Sequence, residues 1–345
     1  MTEDAPGQQV DVAVLGAGMV GISAGLAARQ RGLSVIVVDR REPGSETSYG
    51  NAGILSSGSI FPLNTPALWK NLPKYLTNQH PALRWNIPWA IANAGWMMRF
   101  LASTAPSQTK PRAVELRGLI GMSLQLHRDW IVQAGAGSRI RETGWLKAWR
   151  GDGLANARAE QAALAEYGIK SEVLDRQAIS ALEPNIIPAY SVGLLHTQTA
   201  SVDSPGAVVK DYARMLAGGG GVIRQSQIRQ IASQGNGWRV QLADGEIAAR
   251  HVVVALGPWS AELLRPLGYR VPLAFERGYH QHFAPNPARK LLRPIHDADG
   301  SFVMTPMEQG IRVTCGVELA ARDAPSNFSQ LDTVVPLALQ RDRVR

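Results

Sequence analysis

The first forty residues carry two short apolar runs separated by a segment of helical character. Val10–Leu15 has no helical period and ends at a glycine, which predicts a buried strand. The segment from Met19 to Arg31 predicts a helix that ends at Gly32. Val35–Val38 predicts a second buried strand, which closes on Asp39. The pattern therefore predicts a strand–helix–strand unit at the start of the chain.

The middle of the chain has the pattern of helices. Pro111–Gly135 predicts a long helix with one apolar side, and Ala155–Tyr167 predicts an alanine-rich helix. Asp175 is expected to cap a short helix that ends before Pro184. Ile87–Leu101 is apolar on most sides, which favours a buried or half-buried helix. The alternative for this segment is a peripheral membrane contact, with Arg84 and Arg99 at lipid headgroups.

The second half of the chain is richer in strand patterns. A strand at Val192–Thr197 precedes a helix from Pro205 to about Leu216. Further strands are expected at 222–224, 227–233, 238–243, a short stretch after Asp244–Gly245, His251–Leu256, Val271–Phe283, Phe302–Thr305 and Ile311–Val317, followed by a helix after Phe328. Alternating strands and helices at the start, with antiparallel strands later, predict an α/β protein, α+β overall.

Three glycines connect the first predicted strand to the first helix. Gly16, Gly18 and Gly21 form G-x-G-x-x-G, in which glycine permits the tight turn, the approach of a pyrophosphate and the packing of helix on strand. The free N–H groups and the dipole of the helix favour phosphates. Asp39 follows Gly16 by 23 residues, where a carboxylate can bind ribose hydroxyls. This order predicts a dinucleotide site, with a glycine-rich turn without ligand as the alternative.

The segment after Asp39 separates the possible dinucleotides. Glu46–Gly53 reads E-T-S-Y-G-N-A-G and offers hydroxyls, an amide and bare backbone. It resembles the T-S-x-x-N-A-G segment of the amino-acid-oxidase (DAO) family of flavoproteins, and especially the small subunit of bacterial D-amino acid dehydrogenases. The pieces V-L-D-R-Q-A-I-S-A-L-E-P and E-R-G-Y-H match the same family. The resemblance implies FAD as cofactor; an NAD-dependent dehydrogenase is the disfavoured alternative.

The resemblance also implies a fold and a set of cofactor residues. The fold is a Rossmann-like FAD-binding domain, interleaved with a substrate domain built on an antiparallel sheet. We expect 9–60 and 185–265 to form the FAD-binding domain, 61–184 and 266–330 the substrate or cap domain, and 331–345 a truncated terminus. The residues expected at FAD are Gly16, Ala17, Gly18, Met19, Val20, Gly21, Asp39, Arg40, Thr47, Ser48, Asn51, Ala52, Gly53, Ile228, Ala255 and Gly257.

The substrate side is less defined by the sequence. Arg277, Tyr279 and His280 in E-R-G-Y-H are candidates, and alternation places Arg277 and Tyr279 on one face of a strand and His280 and His282 on the other. The competing interpretation is that Arg277 is an ordinary surface arginine and that the histidines have no role in binding or catalysis. His280-x-His282 lacks a suitably spaced third ligand, so no metal site is predicted. The catalytic residues themselves stay unknown.

Composition adds few constraints. The chain of 345 residues is 45% hydrophobic and has a formal net charge of +8, which favours anionic ligands in general. The absence of basic runs disfavours nucleic acid. The single cysteine, Cys315, excludes an internal disulfide, fits a reducing compartment and is expected to be a buried, inert thiol. The polar N-terminus does not resemble a secretory signal, and no apolar run reaches the ~18 residues of a membrane span.

The family resemblance implies a reaction. A D-amino acid gives up hydride from Cα to flavin N5, and water converts the imine to a 2-oxo acid and ammonium, with electrons passing to a quinone or other acceptor. The expected location is cytoplasmic, with peripheral association at the inner face of the cell membrane and a partner subunit as further options. The alternatives are an oxidase or dehydrogenase of glycine, sarcosine or hydroxyproline, and a truncated relative without catalysis, since the family's G-x-R-P-x-x-P-D turn is not found in this sequence.

Overall fold

The structure is a computed structural model that describes residues 9–61, 68–78, 80–186, 189–284 and 290–342. Within these ranges the helices are Met19–Gln30 (α1), Leu68–Leu76 (α2), Ile87–Ala92 (α3), Ala94–Ala102 (α4), Pro106–Gln133 (α5), Leu154–Ala165 (α6), Arg176–Leu182 (α7), Pro205–Gly218 (α8), Ser260–Leu264 (α9) and Ser329–Asp342 (α10).

The strands are Val10–Leu15 (β1), Val35–Asp39 (β2), Ile54–Ser56 (β3), Leu83–Trp85 (β4), Ile140–Arg141 (β5), Trp145–Trp149 (β6), Ser171–Asp175 (β7), Val192–His196 (β8), Thr199–Val202 (β9), Val222–Gln225 (β10), Ile228–Gln234 (β11), Gly237–Leu242 (β12), Gly245–Val254 (β13), Glu276–Phe283 (β14), Ile295–Asp297 (β15), Phe302–Met307 (β16) and Gly310–Leu319 (β17). The mixture of parallel and antiparallel sheets confirms the predicted α/β class.

The first compact unit contains the described residues up to Gly50, Trp130–Gly137 and Ser204–Leu273. Its six-stranded sheet has the order β10-β2-β1-β13-β12-β11. Strands β10, β2, β1 and β13 run parallel, whereas β12 is antiparallel to β13 and β11. The inner parallel strands β1 and β2 are almost wholly buried, as expected for strands covered on both faces.

One strand of this sheet differs from the prediction. The sequence predicted a short strand after Asp244–Gly245 and a separate buried strand at His251–Leu256. This division is wrong, because β13 is one strand of ten residues, Gly245–Val254. Its first half pairs with β12 and its second half pairs with β1, from Ala249 opposite Val10 to Val254 opposite Leu15. Because β12 pairs with one edge of β13 and β1 with the opposite edge, the hydrogen bonding continues along the whole strand.

The second compact unit contains Asn51–Asp129, Ser138–Asp203 and the described residues from Ala274 onward. Its eight-stranded sheet has the order β14-β17-β16-β15-β6-β8-β7, with β4 added in parallel on β17. A separate three-stranded sheet has the order β3-β9-β5. Contacts thus group residues 51–60, 185–186 and 189–203 with the second unit, although the expectation placed them with the cofactor domain. They also group 130–137 and 266–273 with the first unit, although the expectation placed them with the substrate domain.

Two apolar clusters cover opposite faces of the large sheet. Leu146 and Val313 pack against α10 through Leu331 and Val334. On the other face, Trp149 and Leu194 pack against Leu164 of α6. Residues 331–342 of the expected truncated terminus therefore belong to α10, which packs on the core of the large sheet, while 343–345 lie outside the described residues.

The apolar helices of the middle region are more exposed than predicted. Ile87–Leu101 was expected to be one buried or half-buried helix, but α3 and α4 are separate and meet at Asn93, which lies at the end of one and the start of the other. Trp89 is buried, whereas Ile91 is 74% exposed. The apolar side of α5 is divided in the same way: Leu124 and Trp130 are buried, and Val114, Leu119 and Leu126 are exposed.

Candidate functional site

Gly16 occupies a position that only glycine can fill without strain. Its φ is +112°, and a Cβ built there would lie 2.3 Å from the carbonyl oxygen of Ala255. Its amide donates to Val38 O at 2.7 Å, and the amide of Ala255 donates to Leu15 O at 2.8 Å. The turn therefore brings the carboxyl ends of β1, β2 and β13 together, where ligands bind in open α/β sheets.

The other two glycines of the motif hold the turn against the start of α1. A Cβ on Gly21 would lie 1.8 Å from Gly16 O, so the helix packs directly on the turn. A Cβ on Gly18 would approach Ser48 Oγ to 3.2 Å. Ser48 Oγ accepts a hydrogen bond from the amide of Met19 at 2.9 Å, which caps the first turn of the helix. Val20 lies beside this turn and is exposed.

Asp39 fixes the second strand to the glycine turn. Its Oδ2 accepts from the amide of Ala17 at 2.7 Å and its Oδ1 from the amide of Arg41 at 3.1 Å. A carboxylate has about four acceptor sites, so Asp39 keeps capacity for ribose hydroxyls. Its carbonyl oxygen accepts from the amide of Ser226, two residues before Ile228.

Arg40 and Gly257 lie further along the same edge. The Arg40 guanidinium lies 4.3 Å from the centre of the Trp259 ring and forms a 2.9 Å ion pair with Glu46. Gly257 has φ +53° and begins the short turn that contains Trp259. Thr47 is exposed beside Ser48.

The segment Asn51–Gly53 belongs to the second unit. Asn51 Oδ1 accepts from the amide of Gly53 at 2.8 Å, and Gly53 adopts φ +66°. Gly53 O accepts from the amide of Val202, which anchors the segment, including Ala52, to strand β9. The result is a bend of small residues with little side-chain bulk.

Arg312 connects this bend to the large sheet. The side chain is only 2% exposed, and its Nη1 donates to Asn51 O at 2.6 Å while its Nε donates to His282 Nε2 at 3.0 Å. Thr305 lies opposite Arg312 on β16 and is fully buried. Its Oγ1 has no hydrogen-bond partner among the described residues.

His280 lies on the same face as Arg312. It is opposite Thr314 on β17, and its ring centre lies 5.4 Å from that of His282. Burial, followed by the charges of Arg312 and His282, lowers the pKa of His280 to about 4. Burial and Arg312 also lower the pKa of His282. Both rings are therefore neutral at pH 7, beside one buried cation.

Comparison with known proteins identifies the family. The model of the DAO family, described as FAD-dependent oxidoreductases, matches residues 11–341. The chain belongs to this family. A D-amino-acid oxidase of Bradyrhizobium diazoefficiens is 30% identical over an alignment of 328 residues that covers 93% of this chain and 77% of that protein. D-amino acid dehydrogenase 2 of Pseudomonas aeruginosa is 31% identical over an alignment of 324 residues that covers 90% of this chain and 76% of that protein.

Solved structures share the fold. Glycine oxidase from Geobacillus kaustophilus superposes with a TM-score of 0.68 and 18% identity, covering 96% of this chain and 78% of the other. L-proline dehydrogenase from P. horikoshii gives a TM-score of 0.66 at 12% identity, covering 97% and 78%. At these identities the likeness concerns the fold.

Membership of the DAO family makes the protein an FAD-dependent oxidoreductase. The residues of the first unit fit this cofactor, because the Gly16 turn admits no Cβ and stands at the carboxyl ends of three parallel strands. Bound FAD supplies the acceptor for two electrons. Direct contacts bring eight of the predicted residues together at this turn: Gly16, Ala17, Gly18, Met19, Gly21, Asp39, Ser48 and Ala255. Ile228 begins β11 two residues after Ser226, whose amide donates to Asp39 O, and its side chain packs against the apolar cluster of this unit.

The three substrate candidates lie on different faces of β14. Tyr279 donates its hydroxyl proton to Glu318 Oε2 at 2.6 Å and accepts from the amide of Asn327. Arg277 Nη1 donates to Pro325 O at 3.0 Å. Both side chains tie β14 to β17 and to the segment before α10. Only His280 shares the face of Arg312.

Arg312 and Thr305 were missed by the sequence analysis. Arg312 stands in the apolar stretch I-R-V-T-C and is flanked by buried residues. A charged residue within a predicted buried strand could have indicated a functional residue, because a buried charge needs a specific partner. Cys315 is half-buried, with Sγ 3.5 Å from Tyr279 O, and burial raises the pKa of its thiol. The described residues include no group of three or more His, Cys, Asp or Glu that could hold a metal ion.

Proposed function

We propose that the protein oxidatively deaminates D-amino acids to 2-oxo acids and ammonium. The substrate loses hydride from Cα and a proton from the amine, and water hydrolyses the resulting imine. The names of the relatives at about 30% identity support this substrate class. The observation that carries the proposal is the contact of Arg312 with Asn51, because it joins a buried cation to the segment expected along FAD.

The face around Arg312 suits a substrate with a carboxylate. Its positive charge is buried, and a buried cation attracts an anion more strongly than an exposed one. His280, which is neutral at pH 7, adds no competing charge and is a weak base. No side chain on this face is therefore expected to hold the amine proton, and the substrate has to react in its neutral-amine form.

The test is the absorbance of the purified flavoprotein under anaerobic conditions. Bleaching of the flavin bands by D-alanine but not by L-alanine, glycine or sarcosine would support the proposal. Bleaching by glycine or sarcosine instead would favour the amine-oxidase alternative. Flavin bands that no amine changes would favour a relative without catalysis.

The electron acceptor is proposed to be a quinone or another acceptor besides oxygen. Several relatives are named dehydrogenases, although one is named an oxidase. Reoxidation of the reduced flavin by a soluble quinone analogue, compared with air-saturated buffer, decides between the two. Faster reoxidation by air would overturn this part of the proposal.

Peripheral association with a membrane is a further proposal, and it concerns α3 and α4. None of the described helices is long and apolar enough to span a membrane. However, Ile87, Ile91 and Met98 expose 67%, 74% and 68% of their surface. Apolar side chains on short exposed helices can insert into the headgroup region of a bilayer, with Arg99 available to anionic lipid.

A further inference from the structure

A cavity of about 230 Å³ lies in the second unit, on the α10 side of the large sheet. Arg84 of β4, Arg150 after β6, and Gln330 and Thr333 of α10 contribute to its lining. Alternation along β17 places Arg312 on the opposite face, because its neighbours Ile311 and Val313 pack with α10. The cavity therefore shares none of the residues assigned above to cofactor or substrate.

Charges of both signs border the cavity. Arg150 forms ion pairs with Asp297 at 3.2 Å and with Asp299 at 3.6 Å, so its charge is offset. Arg84 forms no ion pair with any residue that the structure describes. A guanidinium without a partner beside a cavity is suited to bind a carboxylate through two parallel hydrogen bonds.

In the lining of the same cavity, Gln330 places a hydrogen-bond acceptor that has no donor among the described residues. The residue is 4% exposed, and its Nε2 donates to Pro81 O at 2.9 Å. Its Oε1 has no hydrogen-bond donor within the described part of the chain. A buried acceptor without a donor is unfavourable, so a ligand with an N–H group would remove this penalty. Asp299 at the same cavity adds a negative charge that favours a cationic donor.

We infer that this cavity binds a free α-amino acid as its zwitterion, with the carboxylate at Arg84 and the ammonium group at Gln330 Oε1 and Asp299. The volume admits a small amino acid. Because Arg84 requires an anion and Gln330 requires an N–H donor, a simple carboxylate would satisfy only one of the two residues. The inference does not rest on the proposed substrate, since it requires no turnover.

Hydrogen–deuterium exchange of the full-length flavoprotein, measured anaerobically by mass spectrometry, tests the site. The probes are L-alanine and propionate, which differ in the ammonium group, together with inorganic phosphate. L-Alanine is expected to slow exchange in peptides covering 297–300 and 329–337, with a Kd about tenfold lower than that of propionate. Protection confined to β14 and β17, no protection at all, or equal binding of propionate or phosphate would overturn the inference.

Two variants make the result specific. Arg84→Gln is expected to weaken protection by L-alanine at least about tenfold, and Thr333→Tyr is expected to abolish it by filling the cavity. Arg239→Gln, a surface change on β12, should leave it unaltered. Melting temperatures report whether each variant folds. If Arg84→Gln does not fold, the test rests on Thr333→Tyr. Unchanged binding of L-alanine in a variant that folds would refute the assignment.

Discussion

Arg312 Nη1 and the carbonyl oxygen of Asn51 form a 2.6 Å hydrogen bond across 261 positions of the chain. The same guanidinium holds His282 Nε2 at 3.0 Å. One buried side chain thus fixes both the bend of small residues at 51–53 and the strand that carries His280. The position of this bend therefore depends on the large sheet.

Replacing Arg312 with Lys tests this role. Lysine keeps the charge but cannot make both hydrogen bonds in the same plane, so the 51–53 bend should shift. A shift of about 1 Å is expected to lower the rate of anaerobic flavin reduction by D-alanine about 100-fold. The flavin absorbance maximum should also move. Arg239→Lys is the control, and an unchanged spectrum and rate in Arg312→Lys would contradict the positioning role.

Gly16→Ala should prevent FAD binding. A methyl group would lie 2.3 Å from Ala255 O at φ +112°, so the turn has to open. Gly32→Ala is a matched control, because it also has positive φ, +79°, but open space around the Cβ. Both variants should lose at least about 1 kcal/mol of unfolding free energy. Only Gly16→Ala should lose bound flavin, measured by absorbance after gel filtration; equal flavin content would refute the fit.

His196 should make the fold acid-sensitive. It is buried, stacks on Trp145 at 4.4 Å and lies near Lys147, Glu160 and His296. Burial, then the charge of Lys147, lowers its pKa to about 4 from 6.5. The unfolded chain therefore takes up a proton first as the pH falls, and stability is lost between pH 6.5 and 4.

His196→Phe keeps the ring and removes the proton site. Between pH 6.5 and 4, the stability of the variant relative to the parent should rise by about 1.4 kcal/mol for each unit of pH lowered. Denaturant unfolding at several pH values measures this, and the difference at pH 8 isolates any change in packing. Parallel pH dependences of the two proteins would contradict the prediction.

Arg293 and Glu183 form a buried ion pair at 2.8 Å. Arg293→Met should destabilise the protein by about 3–5 kcal/mol, because Glu183 would remain buried without its cation. Burial already raises the pKa of Glu183, so the loss should shrink as the pH falls and the carboxyl takes up a proton. Arg128→Met breaks an exposed pair with Glu142 and should cost at most about 1 kcal/mol. Similar losses in urea titrations of the two variants would contradict this.

Membrane association should depend on Ile91. Ile91→Asp places a charge at the most exposed apolar position of α3 and should reduce co-sedimentation with anionic vesicles several-fold. Tyr269→Asp changes an apolar residue that is 60% exposed in the first unit and should have little effect. Equal sedimentation of both variants, or none of the parent protein, would remove the proposal.

The local pattern predicted the elements near the cofactor better than those near the substrate. The β1–α1–β2 unit follows from short apolar runs and glycine spacing, which act within forty residues. Tyr279 and Arg277 could not be assigned from sequence, because their partners Glu318 and Pro325 are about forty or more positions away. Similarly, the exposure of Ile91 depends on which other elements pack against α3, and the hydrophobic periodicity of the sequence does not specify those neighbours.

The continuity of β13 has a consequence for folding. A slip of one residue against β1 would move the side chains of β13 to the wrong faces. Because the first half of the same strand pairs with β12, such a slip would misplace the antiparallel strands at the same time. The two pairings of β13 therefore depend on one alignment, which couples the register of the N-terminal strands to that of β12.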